Sequence, residues 1–213
     1  NHDVVRHVSR WEKHGASRGA LAKQACALLM SFQGSVYIWQ GEELGQTDSE
    51  LSFDELVDPQ GINFWPEPVG RDNCRTPMVW EADRPNAGFS TAARTWLPIK
   101  APQAAVAVDR QAGKEGSVLE FYRRMIAFRK ASDDLMDGAT AFIDLPEPLF
   151  AFLRGEGTLC VFNLSPASVA VAVEGVGEIT FGLSAKRQAT VLELGPNGFA
   201  FLPVTGRVAV GVA

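Results

Sequence analysis

Residues 17–45 read SRGALAKQACALLMSFQGSVYIWQGEELG, and this stretch decides the fold class. Ser17 is a typical N-cap, and the Ala- and Leu-rich run after it, with apolar residues at helical spacing, predicts a helix over residues 20–32. Gly34 ends that helix, and the apolar run at 35–39 predicts a strand buried on both faces. A helix, a glycine turn and a buried strand in this order indicate an α/β architecture.

The chain after this strand has poor periodicity from about residue 40 to residue 116. Such a long connection is rare in a compact domain unless it is functional, and its tryptophans Trp65, Trp80 and Trp96 predict that it packs into the core. Ser117 then opens a second helix. The cations toward the end of that helix are interpreted as a solvated face; they are Arg123, Arg124, Arg129 and Lys130.

The pattern changes to period two after Ser132. Residues 150–154 and 158–163 flank a glycine-rich turn and predict a β-hairpin. Further strands are predicted at residues 139–145, 169–173, 190–194, 199–202 and 208–212. The sequence therefore predicts two domains, residues 1–132 and a C-terminal antiparallel β-sandwich at residues 133–213.

The composition of the chain excludes some classes of protein and disfavours some classes of partner. The chain has 213 residues, of which 46% are hydrophobic, and its formal charge is −5. This balance excludes a disordered chain and disfavours nucleic acid or an anionic membrane as a partner. The three cysteines (Cys26, Cys74 and Cys160) form no metal or redox motif, so we expect buried free thiols and a cytoplasmic location.

Three motifs carry the functional information. Asn-His-Asp stands at residues 1–3, YIWQGEELG follows at residues 37–45, and GRDNCRTPMVW occupies residues 70–80. In this order and spacing, and followed by a β-rich tail, they resemble the alpha-amylase family of glycoside hydrolases. The similarity is greatest to its alpha-glucosidase and oligo-1,6-glucosidase branch.

The resemblance implies the C-terminal portion of a (β/α)₈ barrel, from the end of strand seven onward, followed by the β-sandwich of that family. It also implies a retaining reaction, in which one carboxylate attacks the anomeric carbon and a second carboxylic acid protonates the leaving oxygen. In this pattern Asp3 is a third, catalytic carboxylate that binds sugar hydroxyls. His2 binds the same hydroxyls, and Arg71 holds the terminal glucose unit.

Other residues of these motifs are given supporting roles. Glu42 and Glu43 are adjacent, so their side chains point in different directions, and we expect them to anchor the loop rather than to act as a catalytic pair. Arg75 is expected to brace its loop. Trp65, Trp80 and Trp96 could stack on sugar rings, but packing into the core is the expected role. His7 and His14 lack metal-ligand spacing, so neither a metal nor a cofactor is predicted.

A full barrel needs about 250 residues, so the resemblance places the nucleophile and the acid/base upstream of Asn1. We therefore expect the chain to be a fragment, to need the upstream part of the same barrel as a partner, and to be inactive alone on its small alpha-glucoside substrate.

Three alternatives remain open at this point. The first is an oligo-1,6-glucosidase, sucrose isomerase or transglycosylase of the same family. The second is a non-catalytic relative, such as the heavy chains of amino-acid transporters. The third is a carbohydrate-binding module formed by the tail, which contains no tryptophan for stacking on sugars.

Overall fold

The computed structural model describes all residues from Asn1 to Ala213. Residue contacts divide them into two compact units. The first unit comprises Asn1–Trp11 and Tyr37–Phe121, and the second comprises Glu12–Val36 and Tyr122–Ala213. The predicted division into domains at residues 132 and 133 stays a prediction.

All helices of the chain lie before residue 138, and all strands lie after it. The seven α-helices, α1 to α7, are His7–Arg10, Arg18–Ser31, Pro59–Asn63, Ala101–Ala104, Val108–Gln111, Val118–Lys130 and Asp133–Asp137. The six strands, β1 to β6, are Thr140–Ile143, Leu149–Arg154, Thr158–Asn163, Val169–Val176, Phe181–Gln188 and Val191–Val212. None of the helices has the length and hydropathy that crossing a membrane requires.

Both predicted helices are confirmed. Ser17 caps α2 by accepting a hydrogen bond from the Ala20 amide at 3.1 Å. Ser117 accepts from the Glu120 amide at 3.2 Å at the start of α6. The Glu120 carboxylate accepts a hydrogen bond from the Gly113 amide at 2.8 Å, just before this helix.

The strand predicted at residues 35–39 is wrong. These residues have no strand assignment, and Tyr37 is 86% exposed. A strand exists through hydrogen bonds to a neighbour, and none of the six strands pairs with this segment. Tyr37 and Ile38, which belong to the first unit, are therefore exposed.

The first unit is a set of loops, short helices and 3₁₀ turns around a small core. The 3₁₀ turns here are Glu42–Leu44, Phe53–Glu55, Asp72–Cys74 and Pro85–Gly88. Leu44, from the second motif, and Met78 and Val79, from the third, pack in the same cluster. The core therefore joins two of the three motifs that carry the functional information.

In the second unit the strands form one sheet in the order β1-β2-β3-β6-β4, with β5 paired to β6. The β1–β2, β2–β3 and β3–β6 pairs are antiparallel, as predicted. The β5–β6 pair is antiparallel as well, although the strand β5 was not predicted. The 22-residue strand β6 replaces three separately predicted strands. Its two ends both pair with β4, because Val171 lies opposite Leu192 and also opposite Val212.

Both faces of the sheet are buried at its central strands β2 and β3. Alternate residues of β2, β3, β4 and β6, including Leu159, Val161 and Leu202, form an aliphatic core. The opposite face carries stacked phenylalanines such as Phe162 and Phe199, whose ring centroids lie 5.6 Å apart. The period-two pattern of the sequence reflects these two layers.

A buried arginine, Arg129, connects two helices of the second unit. Arg129, on α6, donates to the carbonyls of Met30, in the last turn of α2, and of Phe32 and Gly34, which follow that helix. The predicted solvated position of Arg129 is therefore wrong, since the residue is only 8% exposed. A guanidinium is favourable here because the last carbonyls of a helix lack intrahelical partners.

Candidate active site

Asp3 is the centre of a polar cluster in the first unit. Its Oδ1 atom accepts from Arg75 Nη2 at 3.0 Å and from Arg71 Nη1 at 3.4 Å. Its Oδ2 atom lies 3.3 Å from His2 Nε2. The side chain is 51% exposed, so it remains open to a ligand. The structure therefore brings together all three predicted site residues, which are 68 or more positions apart between the first and third motifs.

His2 lies against Trp39, at the end of the exposed apolar run. Their ring centroids are 5.8 Å apart. The His2 carbonyl accepts from Arg75 Nε at 2.8 Å, and Trp39 Nε1 donates to the Cys74 carbonyl at 3.0 Å. Arg75 thus braces its loop, as expected, and also contacts the catalytic candidate Asp3, which the sequence analysis did not predict.

Arg71 has a second carboxylate partner, Asp58, which was not predicted from the sequence. Arg71 Nε donates to Asp58 Oδ2 at 2.9 Å, and Arg71 Nη2 donates to Asp58 Oδ1 at 3.0 Å. The only local signal at Asp58 is that Pro59 follows it, which is typical of the N-cap of a helix. That pattern indicates the start of α3 and says nothing about an ion pair 13 residues away.

The Asp58–Arg71 pair is a permanent ion pair at neutral pH. Hydrogen bonds from Arg71 hold the pKa of Asp58 well below its usual range, despite the burial of this carboxylate. The same contact, with a smaller contribution from Asp3, raises the pKa of Arg71. A charged guanidinium is therefore fixed beside Asp3 on one side and bound to Asp58 on the other.

Glu42 and Glu43 hold the turn of the second motif, in line with their expected anchoring role. Glu42 accepts from the Trp39 amide at 3.2 Å and lies 3.5 Å from His7 Nδ1. Burial alone would raise the pKa of Glu42, but the contacts with His7 and Trp39 outweigh it and lower that pKa. Glu43 accepts from the Gly41 amide at 2.8 Å, and burial raises its pKa.

The tryptophans of the long connection are exposed, so the prediction that they pack into the core is wrong. Trp65 and Trp80 are each 48% exposed, and Trp96 is 82% exposed. Trp80 lines a cleft of about 830 Å³ together with His2, Trp39, Glu43 and Arg75. This cleft offers aromatic faces beside the polar cluster, an arrangement that suits a sugar ring.

A larger groove of about 950 Å³ is lined by residues that include Glu55, Trp96 and Lys100, and it contains none of the predicted site residues. We place the candidate site at the smaller cleft because its lining includes His2 and Arg75, both of which contact Asp3. No group of three or more His, Cys, Asp or Glu side chains is placed to hold a metal ion.

Comparisons with known proteins support the family resemblance that the three sequence motifs indicate. A family model described as the alpha-amylase catalytic domain matches residues 1–138. A probable alpha-glucosidase of Rhizobium meliloti (strain 1021) is 49% identical over 168 residues, which cover 78% of this chain and 30% of that protein. A probable oligo-1,6-glucosidase 2 of Bacillus subtilis (strain 168) is 34% identical over 173 residues, covering 72% of this chain and 30% of the relative.

A solved structure extends the similarity to the β domain. The crystal structure of the alpha-glucosyl transfer enzyme XgtA matches with a TM-score of 0.86 and 38% identity, over 97% of this chain and 39% of that one. The fold class predicted from the sequence, part of a (β/α)₈ barrel followed by an antiparallel β domain, is confirmed. The chain spans about a third of the length of the curated relatives it matches. By its sequence motifs, its fold and the match over residues 1–138, this chain belongs to the alpha-amylase family.

Proposed function

We propose that the chain is part of a retaining alpha-glucosidase that releases terminal alpha-linked glucose from short oligosaccharides. The observation that carries this proposal is the cluster in which Asp3 lies within 3.4 Å of Arg71, His2 and Arg75. A half-exposed carboxylate among fixed cations is suited to accept hydrogen bonds from the hydroxyls of a sugar. The relatives named alpha-glucosidase and oligo-1,6-glucosidase support the same substrate class.

In this proposal the residues of the cluster have distinct tasks. Asp3 accepts from two hydroxyls and stabilises positive charge that develops on the ring in an oxocarbenium-like transition state. His2 and Arg71 donate to the hydroxyls of the same glucose unit. The nucleophile and the acid/base are supplied by the upstream part of the barrel, which also covers the exposed segment at residues 35–39.

A second candidate function is transfer of glucose to an acceptor other than water. It is favoured by the similarity to the alpha-glucosyl transfer enzyme XgtA. The two functions share every step up to the glycosyl-enzyme intermediate and differ in the acceptor that enters afterwards. A cytoplasmic location is proposed as well, supported by the three buried free cysteines.

Hydrolysis of p-nitrophenyl alpha-glucoside by the full-length protein tests the proposal. We expect turnover by the full-length protein and none by the isolated 213-residue chain, because the nucleophile and the acid/base are placed upstream of Asn1. Analysis of the products from maltose, isomaltose and sucrose then separates hydrolysis from transfer. Turnover by the isolated chain would contradict the placement of the two catalytic groups.

A further inference from the structure

We propose that Asp58 is a positioning residue of the candidate active site, which fixes the Arg71 guanidinium so that its Nη1 atom faces Asp3 and the bound sugar. This inference rests on the proposed function. It concerns a residue outside all three motifs, on a loop that contributes no other group to the cluster around Asp3.

The contact between Asp58 and Arg71 uses one edge of the guanidinium. The two parallel hydrogen bonds, at 2.9 and 3.0 Å, form a bidentate pair, which fixes the orientation of the guanidinium as well as its position. The Arg71 amide also donates to Asp58 Oδ2 at 2.9 Å. Asp58 therefore constrains both the backbone and the side chain of Arg71.

Burial differs sharply between the two partners. The Asp58 side chain is 1% exposed, whereas the Arg71 side chain is 39% exposed. Water has little access to the carboxylate end of the pair, so this end of the contact is well protected from competition by solvent. The opposite edge of the guanidinium stays open, where a ligand can reach it.

Asp58 is itself held in place by Asp72. The Oδ2 atom of the buried Asp72 accepts from the amides of Val57 and Asp58, each at 2.7 Å. The Asp58 Oδ1 atom also accepts from the Gln60 amide at 3.2 Å, at the N-cap of α3. A carboxylate held by its backbone and its side chain is a rigid support for Arg71.

The N–H groups of Arg71 that Asp58 does not bind determine which other groups Arg71 can contact. A guanidinium has five N–H donors in a fixed plane, and Asp58 takes one from Nε and one from Nη2. Nη1 lies 3.4 Å from Asp3 Oδ1, and its donors face the cluster. Without Asp58, we expect Arg71 to move onto Asp3 and occupy acceptor positions that the sugar hydroxyls need.

The test is a double-mutant cycle in the full-length protein, with p-nitrophenyl alpha-glucoside as substrate. The variants are Asp58→Asn, Arg71→Ala and the double variant, and Asp54→Asn, an exposed acid on the same loop, is the matched control. Asn preserves the shape of Asp58 and its ability to cap α3. Because an Arg71 that is no longer held loses charge-assisted hydrogen bonds to the bound sugar, we expect Asp58→Asn to lower kcat/KM roughly 10- to 100-fold.

A positioning role and a structural role give different kinetics. If Asp58 acts through Arg71, Asp58→Asn raises KM, and it changes kcat/KM less than about twofold when Arg71 is already Ala. A lower kcat at unchanged KM, or equal losses in both backgrounds, would overturn the inference. Wild-type turnover with an unimpaired Asp58→Asn variant would overturn the inference alone, whereas no wild-type turnover would overturn the proposed function with it.

Discussion

Replacing Asp3 with Asn in the full-length protein will lower kcat/KM for p-nitrophenyl alpha-glucoside roughly 100- to 1000-fold. Asn keeps the size of the side chain but removes the negative charge that faces the developing positive charge on the sugar ring. Loss of one preorganised electrostatic contact to a transition state typically raises the barrier by about 3–4 kcal/mol, which is this range of rates. Steady-state kinetics on the purified variant measure the effect.

The control for this prediction is Asp54→Asn, which removes the same charge from an exposed position in the same unit. It should leave kcat/KM within about twofold of the wild-type value, because exposed charges away from a site contribute little. An unchanged rate for Asp3→Asn would favour the non-catalytic alternative within the family and would remove the basis of the proposed function.

Replacing Arg154 with Ala will destabilise the second unit by about 3–5 kcal/mol, because the change removes the donors of several buried groups and leaves a cavity. Arg154 lies on β2 and is fully buried. Its Nη2 atom donates to the Gly138 carbonyl at 2.7 Å and to the Leu135 carbonyl at 3.2 Å, and its Nη1 atom donates to the Ser31 carbonyl. Burial lowers the pKa of Arg154, and the nearby Asp134 carboxylate opposes this effect only in part.

Urea unfolding of the full-length protein, followed by fluorescence, measures this loss. Arg207→Ala removes an arginine side chain from an exposed position on β6 and should change the free energy of unfolding by less than about 0.5 kcal/mol. Equal midpoints for the two variants would mean that the carbonyls around Arg154 find other donors, and the structural role given to this residue would be wrong.

Local sequence patterns were sufficient to predict the elements that are stabilised by contacts between nearby residues. The cap at Ser17 and the helical spacing after it define α2, and the alternation around residues 155–157 defines the β2–β3 hairpin. The strand β5 was not predicted. Its residues alternate between half-buried and exposed, and Ser184 interrupts the extended backbone with a positive φ of 48°. A strand with no fully buried face gives a weak period-two signal.

Contacts between distant residues could not be predicted from these patterns. Nothing near Asp58 indicates that its partner is Arg71, and nothing near Arg129 indicates that it binds the end of α2, since both contacts depend on tertiary structure. The strand predicted at residues 35–39 is absent because an apolar run forms a strand only where a neighbouring strand pairs with it. The motif residues His2, Asp3 and Arg71 were found through the family resemblance.

The most direct test of the account is a crystal structure of the full-length protein with glucose bound. We predict that one sugar ring lies beside Trp39, with hydroxyl oxygens within hydrogen-bond distance, about 3 Å, of both the Asp3 carboxylate and Arg71 Nη1. Glucose bound in the barrel with Asp3 and Arg71 both turned away from it would contradict the central claim.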